Sequence, residues 1–248
     1  MRSIDLNADL GEGGGTDTEL LATVTSASVA CGAHAGSEDL MRSTVRAARA
    51  AGVVVGAHPG YPDREEFGRR ELRAAPADIE RWVEEQVGAL REICGTEGIT
   101  LRYVKAHGAL YNRAVHDLAA ATALVVAAAR ADRGLAVLAL AGSAMLTAAR
   151  SAGLPTVREA FLDRGYLSDG SLAPRAAPGA LIADEELAAE RALRIARGEP
   201  VADLDGRPLL IEADSLCVHG DSPAALRMAR AARVRLLEAG VTLAPFAR

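Results

Sequence analysis

Tyr103-Val-Lys-Ala-His-Gly-Ala-Leu-Tyr-Asn112 closes an apolar run (Ile99, Leu101, Tyr103, Val104) that stops at Lys105, with His107 and Gly108 next. A buried strand reads this way where it ends at a polar rim: apolar residues fill the sheet, then titratable side chains follow. Lys105 is the only lysine; the other 27 of the 28 basic residues are arginine. Arginine cannot reproduce a compact, movable, three-donor cation, so a lone ammonium beside a histidine marks a candidate site.

The same design recurs on either side. Upstream, Ile4-Asp-Leu-Asn-Ala-Asp-Leu10 alternates apolar with polar residues, which predicts a strand with Asp5, Asn7 and Asp9 on one face, ended by Gly11 and Glu12. Ala27–Cys31 runs into Gly32-Ala-His34-Ala-Gly36, and Val53–Val55 runs into Gly56-Ala-His58-Pro-Gly60. Helices are expected at 38–51 (Ser37 as N-cap, Gly52 as stop), 76–94, 117–131, up to 152, 184–197 and 223–239, the last with Pro223 in its first turn. Downstream strands are expected at 136–140, 156–161, 209–214 and from Leu216 into His219-Gly-Asp221, with a short one at 241–243. The segment 167–180, rich in Gly, Pro and Ser, reads as a functional loop. Seven or eight strands alternate with helices and no hairpin dipeptide is noted, the pattern of a parallel α/β barrel or a doubly wound sheet in one domain, 1–248.

Half the 248 residues are hydrophobic and only 3% aromatic, so the core is built mainly from Ala, Val and Leu. A net charge of −5 without a basic run excludes nucleic acid as the expected partner. No apolar run approaches the roughly 20 residues of a membrane span. Three cysteines (Cys31, Cys94, Cys217) without framework spacing, and no leader before Asp5, predict reduced thiols in a cytoplasmic protein.

His34, His58, His107 and His219 each follow an apolar strand and lie beside, or one residue from, a glycine, although the outermost are 185 positions apart. Strand C-termini of a parallel barrel open on one face, so these rings converge there with Asp5, Asn7, Asp9, Glu12, Lys105, Asp163 and Asp221. His116, read as beginning a helix, is assigned to the surface. Two chemistries use such a cluster. One is a divalent metal held by His34 and His58 with Asp9. The other is metal-free hydrolysis with an Asp or His base and Lys105 with His107 facing developing negative charge. Gly11–Gly15 lacks the Gly-Lys-Ser/Thr ending of a nucleotide loop, and no Gly-x-Ser-x-Gly turn is present.

Asp5-Leu-Asn-Ala-Asp-Leu-Gly-Glu12, Ala30-Cys-Gly-Ala-His-Ala-Gly36, Gly56-Ala-His-Pro-Gly-Tyr-Pro-Asp63, Val104–Asn112, Glu159-Ala-Phe-Leu-Asp-Arg-Gly-Tyr166 and Ser215-Leu-Cys-Val-His-Gly-Asp221 together resemble the LamB/YcsF family from residue 4 to about 245. Ala33, Ser37-Glu38 and Ala106 stand where that family usually has Phe, Asp-Pro and Pro. The resemblance implies a single-domain, seven-stranded parallel (β/α) barrel of the glycoside hydrolase/deacetylase type. It also implies the A component of an ATP-dependent 5-oxoprolinase, which opens the lactam of 5-oxoproline to glutamate with partner subunits B and C. Under that implication Asp9 is the base with Glu12 as substitute, and His34 and His58 orient it or hold a metal. Lys105 and His107 then face the oxyanion or phosphoryl oxygens, and Arg164 takes the substrate carboxylate. Asn7, Asp163, His219 and Asp221 complete the substrate site. A stand-alone metal-dependent deacetylase or amidase, and a non-catalytic substrate-binding component, are the rival readings; self-association is left open.

Overall fold

The computed structural model describes residues 3–221 and 224–247. Ten strands and eight helices follow in the order β1 (Ser3–Leu10), α1 (Asp17–Leu21), β2 (Ser26–Ala30), α2 (Glu38–Ala51), β3 (Val54–His58), α3 (Pro76–Thr96), β4 (Leu101–Val104), α4 (Gly108–His116), α5 (Leu118–Ala131), β5 (Ala136–Leu140), α6 (Ala144–Ala152), β6 (Thr156–Phe161), α7 (Glu185–Arg197), β7 (Val201–Ala202), β8 (Pro208–Leu209), β9 (Ser215–His219), α8 (Ala225–Glu238) and β10 (Thr242–Leu243). Strands β1 to β6 pair in sequence, and β9 joins β6 to β1, closing a parallel seven-stranded barrel. Its outer face and the surrounding helices share one large apolar core rich in Ala, Val and Leu. Among the described residues, no single helix is long and apolar enough to cross a membrane.

Local chemistry explains the boundaries. Ser37 accepts the Leu40 amide at the start of α2, and Gly52 ends that helix in the left-handed conformation. Asp184 caps α7 in the same way, and Asp117 caps α5. Four expectations change. Strand β3 continues through Gly56 and Ala57 to His58, so His58 belongs to the strand rather than to a following loop. His116 ends the short helix α4, which the apolar run after Lys105 conceals; it is exposed, as expected of a surface residue. Residues 210–214 are not a strand, and Leu209 instead joins β7 in an antiparallel pair turned at Asp205-Gly206, a hairpin dipeptide the sequence does contain. Helix α8 begins at Ala225; Pro223, expected in its first turn, lies outside the described residues.

The barrel interior is divided by polarity. Tyr103, Ala136, Leu138 and Val157 form a small inner cluster from β4, β5 and β6, against which Phe246 of the C-terminal tail packs. The opposite wall is polar: β1 alternates, as its period of two requires, to send Asp5, Asn7 and Asp9 inward in three steps toward the C-terminal rim. Asp5 accepts hydroxyl protons from Thr25, Ser26 and Ser215. Asn7 donates to Ser215 Oγ at 2.7 Å and to Glu159 Oε1 at 3.3 Å.

Two consequences are measurable. A Cβ at Gly56 would stand 2.3 Å from the buried Tyr103 ring. Gly56→Ala should therefore lose about 1–3 kcal/mol in denaturant unfolding, as overpacked cores do, and unchanged stability would show that the ring has room to move. The second concerns Asp5, whose carboxyl is pushed up to about 6 by burial although three hydroxyls donate to it. The native state then holds this proton more tightly than the unfolded chain, so the contribution to stability is present below about pH 4 and lost as pH rises through 6. From pH 4 to 7, the stability of Asp5→Asn relative to the unmodified protein should rise by up to about 3 kcal/mol. A difference that does not vary with pH would mean that Asp5 ionises normally.

Candidate active site

All the functional groups lie where the barrel strands end. His58 is the last residue of β3, and Lys105 and His107 follow β4 directly. Glu12 comes from the glycine loop after β1, and His34 from the loop after β2. Arg64 holds that second loop by donating to the carbonyls of Gly32 and Gly36. Together with Arg69, Tyr111, Phe161, Arg164, Arg175 and His219, several of these side chains line a cavity of about 450 Å³.

Lys105 occupies the floor. Only 1% exposed, its Nζ lies 2.7 Å from both Asp9 Oδ1 and Glu159 Oε1, 3.0 Å from Cys217 Sγ and 3.4 Å from Asn7 Oδ1. The Phe161 ring lies 5.2 Å away. Burial acts against the ammonium, but Asp9, Cys217 and Glu159 outweigh it and hold the proton firmly. Burial likewise works to raise Asp9, yet His58 and Lys105 bring its carboxyl down to about 2. Glu159 is raised by burial, with Lys105 opposing, and accepts the Tyr111 hydroxyl at 3.0 Å.

Beside this ion cluster stand three imidazoles and Glu12. His34 and His107 stack with centroids 3.7 Å apart, and His58 meets both edge-on. Glu12 Oε1 is 3.1 Å from His34 Nε2, 3.3 Å from His107 Nδ1 and 3.8 Å from His58 Nε2. Main-chain carbonyls fix two of the tautomers. His58 Nδ1 donates to Lys105 O at 2.9 Å, and His107 Nε2 donates to Phe67 O at 2.8 Å. Phe67 presents that carbonyl from a left-handed backbone conformation (φ 55°), uncommon for a bulky residue. The neighbouring Gly68 leaves room for the stacked rings, since a Cβ there would meet His34 at 2.8 Å.

The other nitrogens, His58 Nε2 and His107 Nδ1, face each other at 2.9 Å. Burial pushes His58 down to about 3, so its Nε2 carries a lone pair at neutral pH. Two lone pairs repel at this distance, and the contact needs a positive centre, a proton or a metal ion, between them. Glu12, His34, His58 and His107 offer donor atoms all within 4.8 Å of one another. Three nitrogens, one carboxylate and carbonyl-anchored imidazoles make up a donor set suited to a zinc-like divalent ion. This cluster joins Glu12 and His107 to the expected His34 and His58, while Asp9 gives Oδ1 to Lys105 and keeps Oδ2 3.4 Å from His58 Nε2.

On the opposite wall His219 stacks on Phe161 and directs Nδ1 at both oxygens of Asp163, 2.9 and 3.0 Å away. This leaves Nε2 as the ring nitrogen available to the cavity. Three further expected residues take these positions. Asn7, expected to bind substrate, is fully buried beneath Lys105 with its amide spent. Arg164 lines the cavity but donates Nη2 to Ala173 O and Nε to Ala180 O, so it braces the 167–180 loop. Asp9, expected as the base, gives Oδ1 to Lys105 Nζ at 2.7 Å and has Oδ2 3.4 Å from His58 Nε2. Asp221 pairs with Arg69 at the rim. Sequence reasoning passed over Glu159, although it shares a strand face with Phe161, a period-two signal. It also passed over Phe67, Arg69 and Arg175, which lie in loops without a periodic pattern.

The LamB/YcsF family profile matches residues 4–248. The chain belongs to the LamB/YcsF family. Among relatives, the A component of the 5-oxoprolinase of Chloroflexus aggregans is 49% identical, over 98% of each chain. The third such A component of Pseudomonas syringae pv. tomato is 46% identical over all of this chain and 98% of that protein. The crystal structure of the lactam utilization protein of Thermus thermophilus superposes with a TM-score of 0.92 at 45% identity, covering 98% of this chain and all of that one. A peptidoglycan N-acetylglucosamine deacetylase domain from Eubacterium rectale shares the fold alone, with a TM-score of 0.56 at 9% identity over 99% of this chain and 88% of that one. This family member is thus a parallel seven-stranded barrel related in architecture to deacetylases.

Metal binding by the Glu12–histidine cluster is directly testable. Calorimetric titration of the chelator-treated protein with Zn²⁺ should show one saturable site, weakened at least 10-fold in Glu12→Gln and in His107→Ala. Binding that ignores both substitutions would place the ion elsewhere.

Proposed function

We propose that this chain is the lactam-opening component of a 5-oxoprolinase, converting 5-oxoproline to L-glutamate with ATP hydrolysis supplied together with partner subunits B and C. The observation that carries the reading is the cavity with a fixed ammonium on its floor and a His–Asp pair on its wall, in a chain 44–49% identical to proteins named as the A component of 5-oxoprolinase.

A lactam carbonyl is resonance-stabilised and a poor electrophile. Phosphorylation of its oxygen makes the carbon open to attack and creates a leaving group, which is the work expected of ATP. The chain's own residues supply the rest. His219 Nε2, with Nδ1 fixed by Asp163, takes the proton from the attacking water and returns it to the ring nitrogen as the C–N bond breaks, which leaves an acyl phosphate that a second water hydrolyses to glutamate and phosphate. Lys105, its protons held by Asp9, Glu159 and Cys217, acts as a fixed charge beneath the reacting carbonyl rather than as a mobile donor. An ion bound by Glu12, His34, His58 and His107 would supply Lewis acidity toward the carbonyl or phosphoryl oxygen. The absence of a Gly-Lys-Ser/Thr loop supports assigning phosphoryl transfer to the assembled complex.

The same four-residue cluster favours a second reading, an amidase or deacetylase acting alone with a metal. Reconstitution separates the two. With partner subunits, glutamate release should require both ATP and 5-oxoproline, and His219→Asn should lower kcat by about 10²–10³-fold with KM little changed. Near-normal turnover by that variant would remove His219 from the reaction. Glutamate released by this chain alone, without ATP, would support the second reading.

A further inference from the structure

Three guanidinium groups line the upper cavity, and two are partly engaged. Arg69 pairs with Asp221 and lies over the Phe67 ring. Arg164 braces the loop carbonyls of Ala173 and Ala180. Arg175, half-buried, lines the same cavity and has no hydrogen-bond or ion-pair partner among the described residues. Its nearby carboxylates are engaged elsewhere: Asp221 with Arg69, Asp163 with His219, and Asp9 with Lys105. Burial and the charge of Arg69 both work against the Arg175 cation, and burial with Arg175 brings Arg164 down to about 10. Three crowded cations, with the Arg175 fork unpaired and the buried Arg69 Nε without a partner, leave a place for an anion.

The loop that carries Arg175 is held in place. Ala173 N donates to Gly165 O at 2.9 Å, Gly165 N donates to Ala180 O at 2.9 Å, and Arg164 Nη2 reaches Ala173 O at 2.7 Å, two residues before Arg175. Leu172 and Pro174 flank it and line the cavity as well. On the floor, Lys105 is paired with Asp9 and Glu159. Such a cavity suits a ligand with one anionic end at the rim and an uncharged amide below.

We infer that Arg175 clamps the carboxylate of a small cyclic-amide acid and so selects 5-oxoproline over lactams that lack the acid group. This moves the carboxylate contact from Arg164 to Arg175 and rests on the lactam reading above. A planar guanidinium receives a carboxylate through two parallel hydrogen bonds, which a lysine cannot reproduce. The test is a ligand-observed NMR titration of the full chain, sensitive to millimolar affinity, with 5-oxoproline, 2-pyrrolidinone (the same ring without the carboxylate) and inorganic phosphate. The unmodified protein should bind 5-oxoproline at least 10-fold more tightly than 2-pyrrolidinone. Arg175→Ala should abolish that preference, and Arg175→Lys should restore only part of it. Full 5-oxoproline affinity in Arg175→Ala would overturn the clamp and leave the lactam reading standing. Binding of phosphate but neither ring compound by the unmodified protein would overturn both.

Discussion

The site is organised by a buried ion cluster: one ammonium, Lys105, placed between Asp9 and Glu159 inside the barrel. Taking such charges out of water costs several kcal/mol per ion, and only close contacts with few unsatisfied groups recover it. Here they are supplied by Asn7, Cys217, Tyr111 and the face of Phe161, contributed by four further positions on different elements. The inward side chains of β1, β4, β6 and β9 are thus bound to a common charge, and their heights in the barrel are mutually fixed.

That constraint extends to the imidazole cluster. The Lys105 carbonyl sets the tautomer of His58, while its ammonium holds Asp9 ionised next to the same ring. Phe67, from the loop after β3, does for His107 what Lys105 does for His58. Each ring therefore turns a lone pair inward because a main-chain carbonyl occupies its other side. A barrel of mostly Ala, Val and Leu outside can in this way keep a fixed polar constellation inside, with glycine at the points where two rings and a loop converge.

Much of this was legible in the sequence. A period of two in Ile4–Leu10 marks Asp5, Asn7 and Asp9 as one face, and the apolar runs before His34, His58, Lys105, His107 and His219 place those groups at one rim. Which of them touch was not legible. That Glu12 and His107 stand with His34 and His58 in one donor cluster depends on a left-handed Phe67, a product of tertiary packing. Asn7 alternates correctly yet lies one layer too deep, because alternation gives the side of a strand but not the height of the rim. Arg164 is adjacent to Asp163 in the chain, but its guanidinium turns to the 167–180 loop. Arg175 lies within that loop, where no periodicity exists to be read.

Phe246, seated against Tyr103 at the lower end of the barrel, has a consequence for traffic. With these two aromatic rings at the base, the cavity beside Lys105 lies at the C-terminal ends of the strands, next to the Arg175 loop. A molecule bound there would enter and leave by one doorway.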